Sequence, residues 1–146
     1  MPAFTEPLIK GFRKSIGLLW LLIKIIVPVS CLVALLDFYG IVDQIAIFFT
    51  PAMSLFGLPG EAAISLLLGF LVNIYAAMGA VTAISLTAQQ MTILAVIIGI
   101  CHELPVETMI CRYTGLRIPV SIALRLTTAV VAGVLLNLIY TLVQGG

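Results

Sequence analysis

An apolar run near the middle of the chain ends in a cluster of ionisable side chains. Residues 91–100 carry one polar side chain, and the only histidine of the sequence, a cysteine and two acids follow within Cys101–Glu107. Ionisable groups are expensive in lipid, so those found there usually have a function. Pro105 cannot continue a helix, because it lacks an N–H group and its ring clashes with the carbonyl group four residues earlier. The sequence therefore predicts a membrane helix over 88–113 that is broken in its middle, with polar residues at the break.

The composition places the whole chain in a membrane. Its 146 residues are 62% hydrophobic and only 9% charged, with a mean hydropathy of +1.27, which is typical of an integral membrane protein and leaves no segment for a soluble catalytic domain. We therefore expect a single membrane domain over residues 1–146 that contacts membrane lipid and is not an enzyme. The formal net charge of +1 argues against nucleic acid as a partner.

Two further apolar runs are long enough to cross a bilayer. The run 16–36 has 21 residues, which cover about 31 Å at 1.5 Å per residue, and the run 119–143 is longer still. Residues 1–15 precede the first run and combine basic with apolar side chains, so we expect an interfacial segment with its basic side on lipid headgroups.

Residues 41–56 have a different character, because their polar side chains repeat with the period of a helix. Asp43, Thr50 and Ser54 fall close to one line along a helix surface, and apolar side chains cover the opposite side. This pattern predicts an amphipathic helix that lies in the membrane interface.

The apolar segment 61–86 has Asn73 near its centre. It is either one long helix or a re-entrant hairpin of two half-helices that meet near Asn73. The hairpin is favoured, because it places nearly all basic residues on one face of the membrane, with the N-terminus in the cytoplasm. Thr87 and Gln90 then predict a capping box at the start of the broken helix. The predicted fold class is an all-α, polytopic membrane protein with an interfacial amphipathic helix, a re-entrant helical hairpin, a broken transmembrane helix and two full spans.

Motifs at both predicted breaks resemble a known family. Gly57–Glu61, followed by Leu66–Phe70 and Asn73, is similar to the hairpin of bacterial ferrous-iron transporters, and Leu104–Val106 is similar to their later helix break. The chain thus resembles the Gate domain, also called the nucleoside-recognition domain, which also occurs in concentrative nucleoside transporters. The resemblance covers about residues 16–140. It implies the fold of one half of such a transporter and a place in the bacterial cytoplasmic (inner) membrane.

The candidate binding residues lie at the two breaks. The carbonyl groups that end the first half of the broken helix form the negative end of a helix dipole, and a thiol, an imidazole and carboxylates lie beside them. This combination suits a cation, and we expect no cofactor apart from a bound metal ion held by Cys101, His102 and Glu103. Glu107 and Asn73 complete the predicted substrate- or ion-binding set.

A purely structural role is the alternative for each of these residues. Glu103 or Glu107 can pair with Arg112 or Arg125, and His102 can cap a helix end. Cys101 can be a small core hydrophobe, since free cysteines are often buried in apolar surroundings. Asn73 can satisfy loose backbone groups at the tip of the hairpin.

These observations predict a membrane transport or permeation subunit for a small polar or ionic solute. A transition-metal cation is the first hypothesis. A nucleoside or similar solute, implied by the resemblance, is the second, and a non-transporting assembly or regulatory subunit is the third. Three spans and one hairpin bury too little protein to enclose a hydrated path, so we expect either a parallel homodimer or a complex with a second, unlike Gate-type subunit.

Overall fold

The computed structural model describes residues 2–113 and 115–144. Every regular element among these residues is an α-helix, which confirms the all-α fold class. The helices are α1 (Pro2–Phe38), α2 (Ile41–Ser54), α3 (Ala62–Leu71), α4 (Ile74–Val81), α5 (Ala88–Ile100), α6 (Leu104–Tyr113) and α7 (Ile118–Gln144).

Two described segments are long and apolar enough to cross a membrane. They are Ala88–Arg112, which comprises α5 and most of α6, and Ile118–Val143 in α7. One helix pair, Ile26–Phe38 and Ile41–Ser54, is also apolar enough for a third span, but it bends by 90° at its break. This arrangement agrees with a polytopic membrane protein.

Helix α1 is continuous from the predicted interfacial segment into the predicted first span. Its 37 residues correspond to about 55 Å, which exceeds the hydrocarbon thickness of about 30 Å. The basic N-terminal part of α1 can therefore extend beyond the hydrocarbon core. At the other end, Gly40 turns the chain into α2 with φ of 69°, a left-handed conformation that glycine adopts without steric cost.

Helices α3 and α4 form a hairpin rather than one long helix. A Cβ atom built on Gly69 of α3 would lie 3.3 Å from the Cβ atom of Ala77 in α4. In a straight helix, residues eight positions apart are separated by about 12 Å along the axis. Helix α4 therefore folds back on α3, and each half is too short to cross a bilayer alone.

Helix α5 begins with the predicted capping box and runs antiparallel to α7. The Thr87 hydroxyl accepts a hydrogen bond from the Gln90 N–H group at 3.3 Å, and the Gln90 side chain accepts one from the Thr87 N–H group at 3.0 Å. The Gln90 amide also donates to the Gly57 carbonyl at 3.0 Å, which ties α5 to the turn before α3. The main core lies around α5 and includes buried residues of the α2–α3 region, α4 and α7.

Candidate functional site

The two helix breaks of the chain meet. The backbone N–H group of Glu103, in the break between α5 and α6, donates a hydrogen bond to the carbonyl oxygen of Gly69, close to the tip of the α3–α4 hairpin, at 3.0 Å. A side chain at Gly69 would press on Ile98 at 3.2 Å and on Ala77 at 3.3 Å, so a glycine allows the close approach of α3, α4 and α5. The meeting point is therefore built into the backbone of both elements.

The break falls at Cys101–Glu103, just before Pro105. The Pro105 ring would clash with the carbonyl group of Cys101 if the helix continued, so α5 ends at Ile100. Pro105 then lies in the first turn of α6, where its missing N–H group is not needed. Glu103 turns the chain between the two halves with φ of 46°, and its carbonyl oxygen accepts a hydrogen bond from the Glu107 N–H group at 3.0 Å.

Arg125 of α7 joins the two halves of the broken helix. Its Nε and Nη2 atoms donate to the carbonyl oxygen of Ile100 at 3.2 and 3.1 Å, at the negative end of the α5 dipole. Its Nη2 atom also forms an ion pair with Oε2 of Glu107 in α6. Arg125 thus neutralises a carboxylate and satisfies a helix end that Pro105 leaves open.

Three polar groups at the break keep unused hydrogen-bonding capacity. His102 places Nε2 at 3.4 Å from Oε1 of Glu107, while its Nδ1 atom is buried without a partner. The Nη1 atom of Arg125 is also buried without a partner. Among the described residues, the Glu103 side chain makes no hydrogen bond or ion pair. Buried polar atoms without partners are costly, so Nδ1 of His102 and Nη1 of Arg125 are expected to be satisfied by water or by another polar group.

The sequence comparisons assign the chain to a family. A profile described as "Gate: Nucleoside recognition" matches residues 19–141. The chain belongs to the Gate family. It is also 39% identical over 137 residues to the uncharacterized membrane protein YvoD of Bacillus subtilis (strain 168). The aligned part is 94% of this chain and 43% of YvoD, so the chain spans less than half of that relative. No solved structure is significantly similar to the chain.

The structure of this Gate domain brings together most of the predicted site residues. His102 and Glu107 face one another, and Glu103 lies between them in the chain and contacts the hairpin. Cys101 does not expose its thiol, because its side chain is fully buried in the main core. Asn73 caps α4, since its Oδ1 atom accepts a hydrogen bond from the Ala76 N–H group at 2.8 Å. The structural alternatives for Cys101 and Asn73 thus match their observed contacts.

The metal hypothesis gains no support from this geometry. Within the part of the chain that the structure describes, no group of three or more His, Cys, Asp or Glu side chains is arranged to hold a metal ion. A metal site at Cys101, His102 and Glu103 stays a prediction. The pairing of Glu107 with Arg125 was the structural alternative for that carboxylate, and it is present.

Two residues at the meeting point of the helix breaks, Arg125 and Gly69, were absent from the predicted set of binding residues. Arg125 was considered only as a partner for an acid, although a lone arginine in an apolar helix is itself a signal of function. Gly69 was noted only within a family motif, and its role depends on a contact between segments far apart in sequence. A residue pattern cannot show such a contact.

An apolar cavity of about 400 Å³ lies between α4 and α5. It is lined by Ala77 and Ile98, the same residues that surround Gly69, and so lies beside the meeting point of the breaks. Its other walls are mostly apolar and include Ile74 and Leu94. Binding sites for small organic molecules are typically of this size and combine apolar walls with a few polar groups.

Proposed function

We propose that this Gate domain is a transport or permeation subunit that binds a small, uncharged, polar organic solute where its two helix breaks meet. The observation that carries the proposal is the set of unsatisfied polar groups beside the Glu103–Gly69 contact. A purely structural break would be expected to pair these groups within the chain. Their unused capacity therefore favours a binding role over a non-transporting assembly or regulatory subunit.

The available groups suit a solute that both donates and accepts hydrogen bonds. Nε2 of His102 faces Oε1 of Glu107 at 3.4 Å, an arrangement that suits a proton on Nε2, and in that tautomer Nδ1 is an acceptor. Nη1 of Arg125 can only donate, and the ionised Glu103 carboxylate can only accept. A nucleobase edge with a hydrogen-bond donor beside an acceptor, together with sugar hydroxyls, would match the side chains of His102, Arg125 and Glu103. Nucleosides have this chemistry, which agrees with the description of the family.

A metal cation fits the same groups less well. Arg125 already occupies the Ile100 carbonyl and pairs with Glu107, so two of the oxygen atoms that a cation would use are taken. The adjacent apolar cavity would contribute nothing to a bare ion, whereas it can hold the flat face of a base. We therefore rank a nucleoside-like solute above a metal.

Binding at this site requires movement. Nδ1 of His102 and Nη1 of Arg125 are enclosed in the present conformation, so a solute can reach them only after α6 shifts on the Cys101–Glu103 break. In transporters with broken helices, one repeat or helix bundle rocks or gates against the other around a site near the middle of the bilayer.

A thermal-stability screen of the purified protein tests the proposal. Nucleosides should raise the Tm of the wild type increasingly with concentration, because a ligand that binds only the folded state stabilises it by mass action. Glu103→Gln and His102→Ala should fold but lose this shift. Glu61→Gln is the matched control, since Glu61 lies at the opposite end of α3 from the break.

Two outcomes would contradict the proposed nucleoside site at the break. Equal nucleoside shifts in the wild type and both break variants would place the solute elsewhere. A shift produced by transition-metal ions alone, and lost in His102→Ala, would favour the metal hypothesis instead.

We further infer that the domain works as a pair. The side chains of Arg125, His102 and Glu107 are 18%, 30% and 32% exposed, and ionisable groups inside a membrane must be covered by protein or by a water-filled cavity. A second copy in the same orientation, or an unlike Gate-type subunit, would provide this cover. The positive-inside rule supports an N-terminus in the cytoplasm, and the family resemblance supports a place in the bacterial cytoplasmic membrane. Crosslinking in native membranes tests the assembly, and a strictly monomeric chain would contradict it.

A further inference from the structure

The break presents two oxygen groups that normally attract a small cation. The Ile100 carbonyl lies at the end of α5 and carries the negative end of its dipole, and the Glu107 carboxylate lies one turn into α6. In transporters with broken helices, carbonyl groups at the ends of half-helices coordinate the ion that drives transport. The corresponding groups in this chain are already occupied.

The occupant is the guanidinium group of Arg125. It donates to the Ile100 carbonyl from both Nε and Nη2 and pairs with Glu107 through Nη2. Its side chain is only 18% exposed. An arginine stays protonated at any physiological pH, so this positive charge cannot leave by losing a proton. The helix end and the Glu107 carboxylate, the two groups that would coordinate an ion, are thus both bound by one guanidinium group.

We propose that Arg125 is a tethered substitute for a coupling cation, so that this chain binds its solute without Na⁺ or K⁺. The inference rests on the proposed function in placing the site at the break, and it adds the ion dependence of that site. Arg125 is then a specificity-determining residue, because its guanidinium group supplies the positive charge that a free ion would otherwise supply. Removal of the guanidinium should convert the site into one that needs an ion.

The test measures the thermal stability of solute-free protein in NaCl, KCl or N-methyl-D-glucamine chloride at equal ionic strength. The wild type should have the same Tm in all three salts. Arg125→Gln should have a lower Tm in N-methyl-D-glucamine chloride, and Na⁺ in about tenfold excess over its Kd should raise it by about 3–5 °C. Arg125→Lys keeps a tethered charge and should remain independent of the ion.

A double variant identifies the ion's ligand. Glu107→Gln combined with Arg125→Gln lacks the carboxylate, so its Tm should not depend on the ion. Saturable, Na⁺-specific stabilisation of the wild type would overturn the proposal, as would a folded Arg125→Gln whose Tm is the same in all salts. If Arg125→Gln is recovered in none of the salts, Arg125→Met, which keeps most of the side-chain length without the charge, replaces it in the same comparison. The salt comparison uses solute-free protein, so its outcome does not depend on whether the nucleoside screen succeeds. The nucleoside screen likewise does not depend on the salt comparison.

Discussion

Glu103 has a backbone conformation that residues other than glycine avoid. Its φ of 46° is left-handed, which costs roughly 1–2 kcal/mol for a residue with a Cβ atom. The hydrogen bonds of its N–H group to Gly69 and of its carbonyl group from Glu107 offset part of this cost. A glycine would take the same turn without strain, so the carboxylate of Glu103 is kept at an energetic disadvantage. Strain of this kind concentrates at functional sites, which supports a role for this side chain in binding.

The Asn73 side chain stabilises the start of α4. Asn73→Ala should lower the free energy of unfolding by about 1 kcal/mol, because the Ala76 N–H group loses the acceptor that now lies 2.8 Å away. Asn73→Ser should restore most of the loss, since serine is also a good N-cap residue. Thermal unfolding with and without nucleoside checks both points. We expect the Ser variant to keep the nucleoside-induced shift; its loss in an otherwise stable protein would make Asn73 a ligand and not only a cap.

At the scale of elements, the hairpin and the broken helix depend on one another. Helices α3 and α4 are each shorter than a membrane span, and non-helical backbone inside a bilayer is tolerated only where protein or water covers it. The Glu103–Gly69 hydrogen bond brings the two breaks together, so each covers part of the other. A hairpin of this kind must enter and leave the membrane on the same side.

Single cysteines placed at the two ends of the hairpin test this topology. Glu61→Cys and Ser85→Cys should react with a membrane-impermeant thiol reagent from the same side, and Leu116→Cys from the opposite side. Glu61 is preferable to Gly60, where any side chain would collide with the Ala46 carbonyl group. Cys31 and Cys111 are first replaced by alanine, and Cys101 can stay because it is buried. Reaction of Glu61→Cys and Ser85→Cys from opposite sides would mean that the segment crosses the membrane fully.

At the scale of the whole molecule, local patterns predicted the elements but not their contacts. The clash of Pro105 with the preceding turn was sufficient to locate the broken helix, and Thr87 with Gln90 was sufficient to locate its start. Both are local effects of neighbouring residues. The pairing of Arg125 with Glu107 depends instead on how α7 packs against α6.

The position of the Cys101 side chain also depends on tertiary contacts that the sequence pattern does not show. Its position beside His102 made it a reasonable metal ligand, but the direction of its side chain at the end of α5 is set by core packing. From the sequence, burial of Cys101 in the core and binding of a metal were both open, because side-chain direction depends on tertiary packing. The sequence therefore predicts which polar residues lie at the break, but not which of them contact one another, because those contacts depend on tertiary packing.

Because a solute reaches the break between α5 and α6 only after α6 shifts, the proposed binding requires that water can enter the break in the solute-free protein. The most direct measurement is the rate at which a water-soluble thiol reagent modifies Val106→Cys, next to the break, compared with Leu135→Cys on α7. These two side chains are 53% and 52% exposed, so exposure alone predicts similar rates. Val106→Cys should react several times faster, and a nucleoside that stabilises the protein should slow only this reaction. Equal rates at the two positions, or a rate at Val106→Cys that the nucleoside does not change, would contradict it.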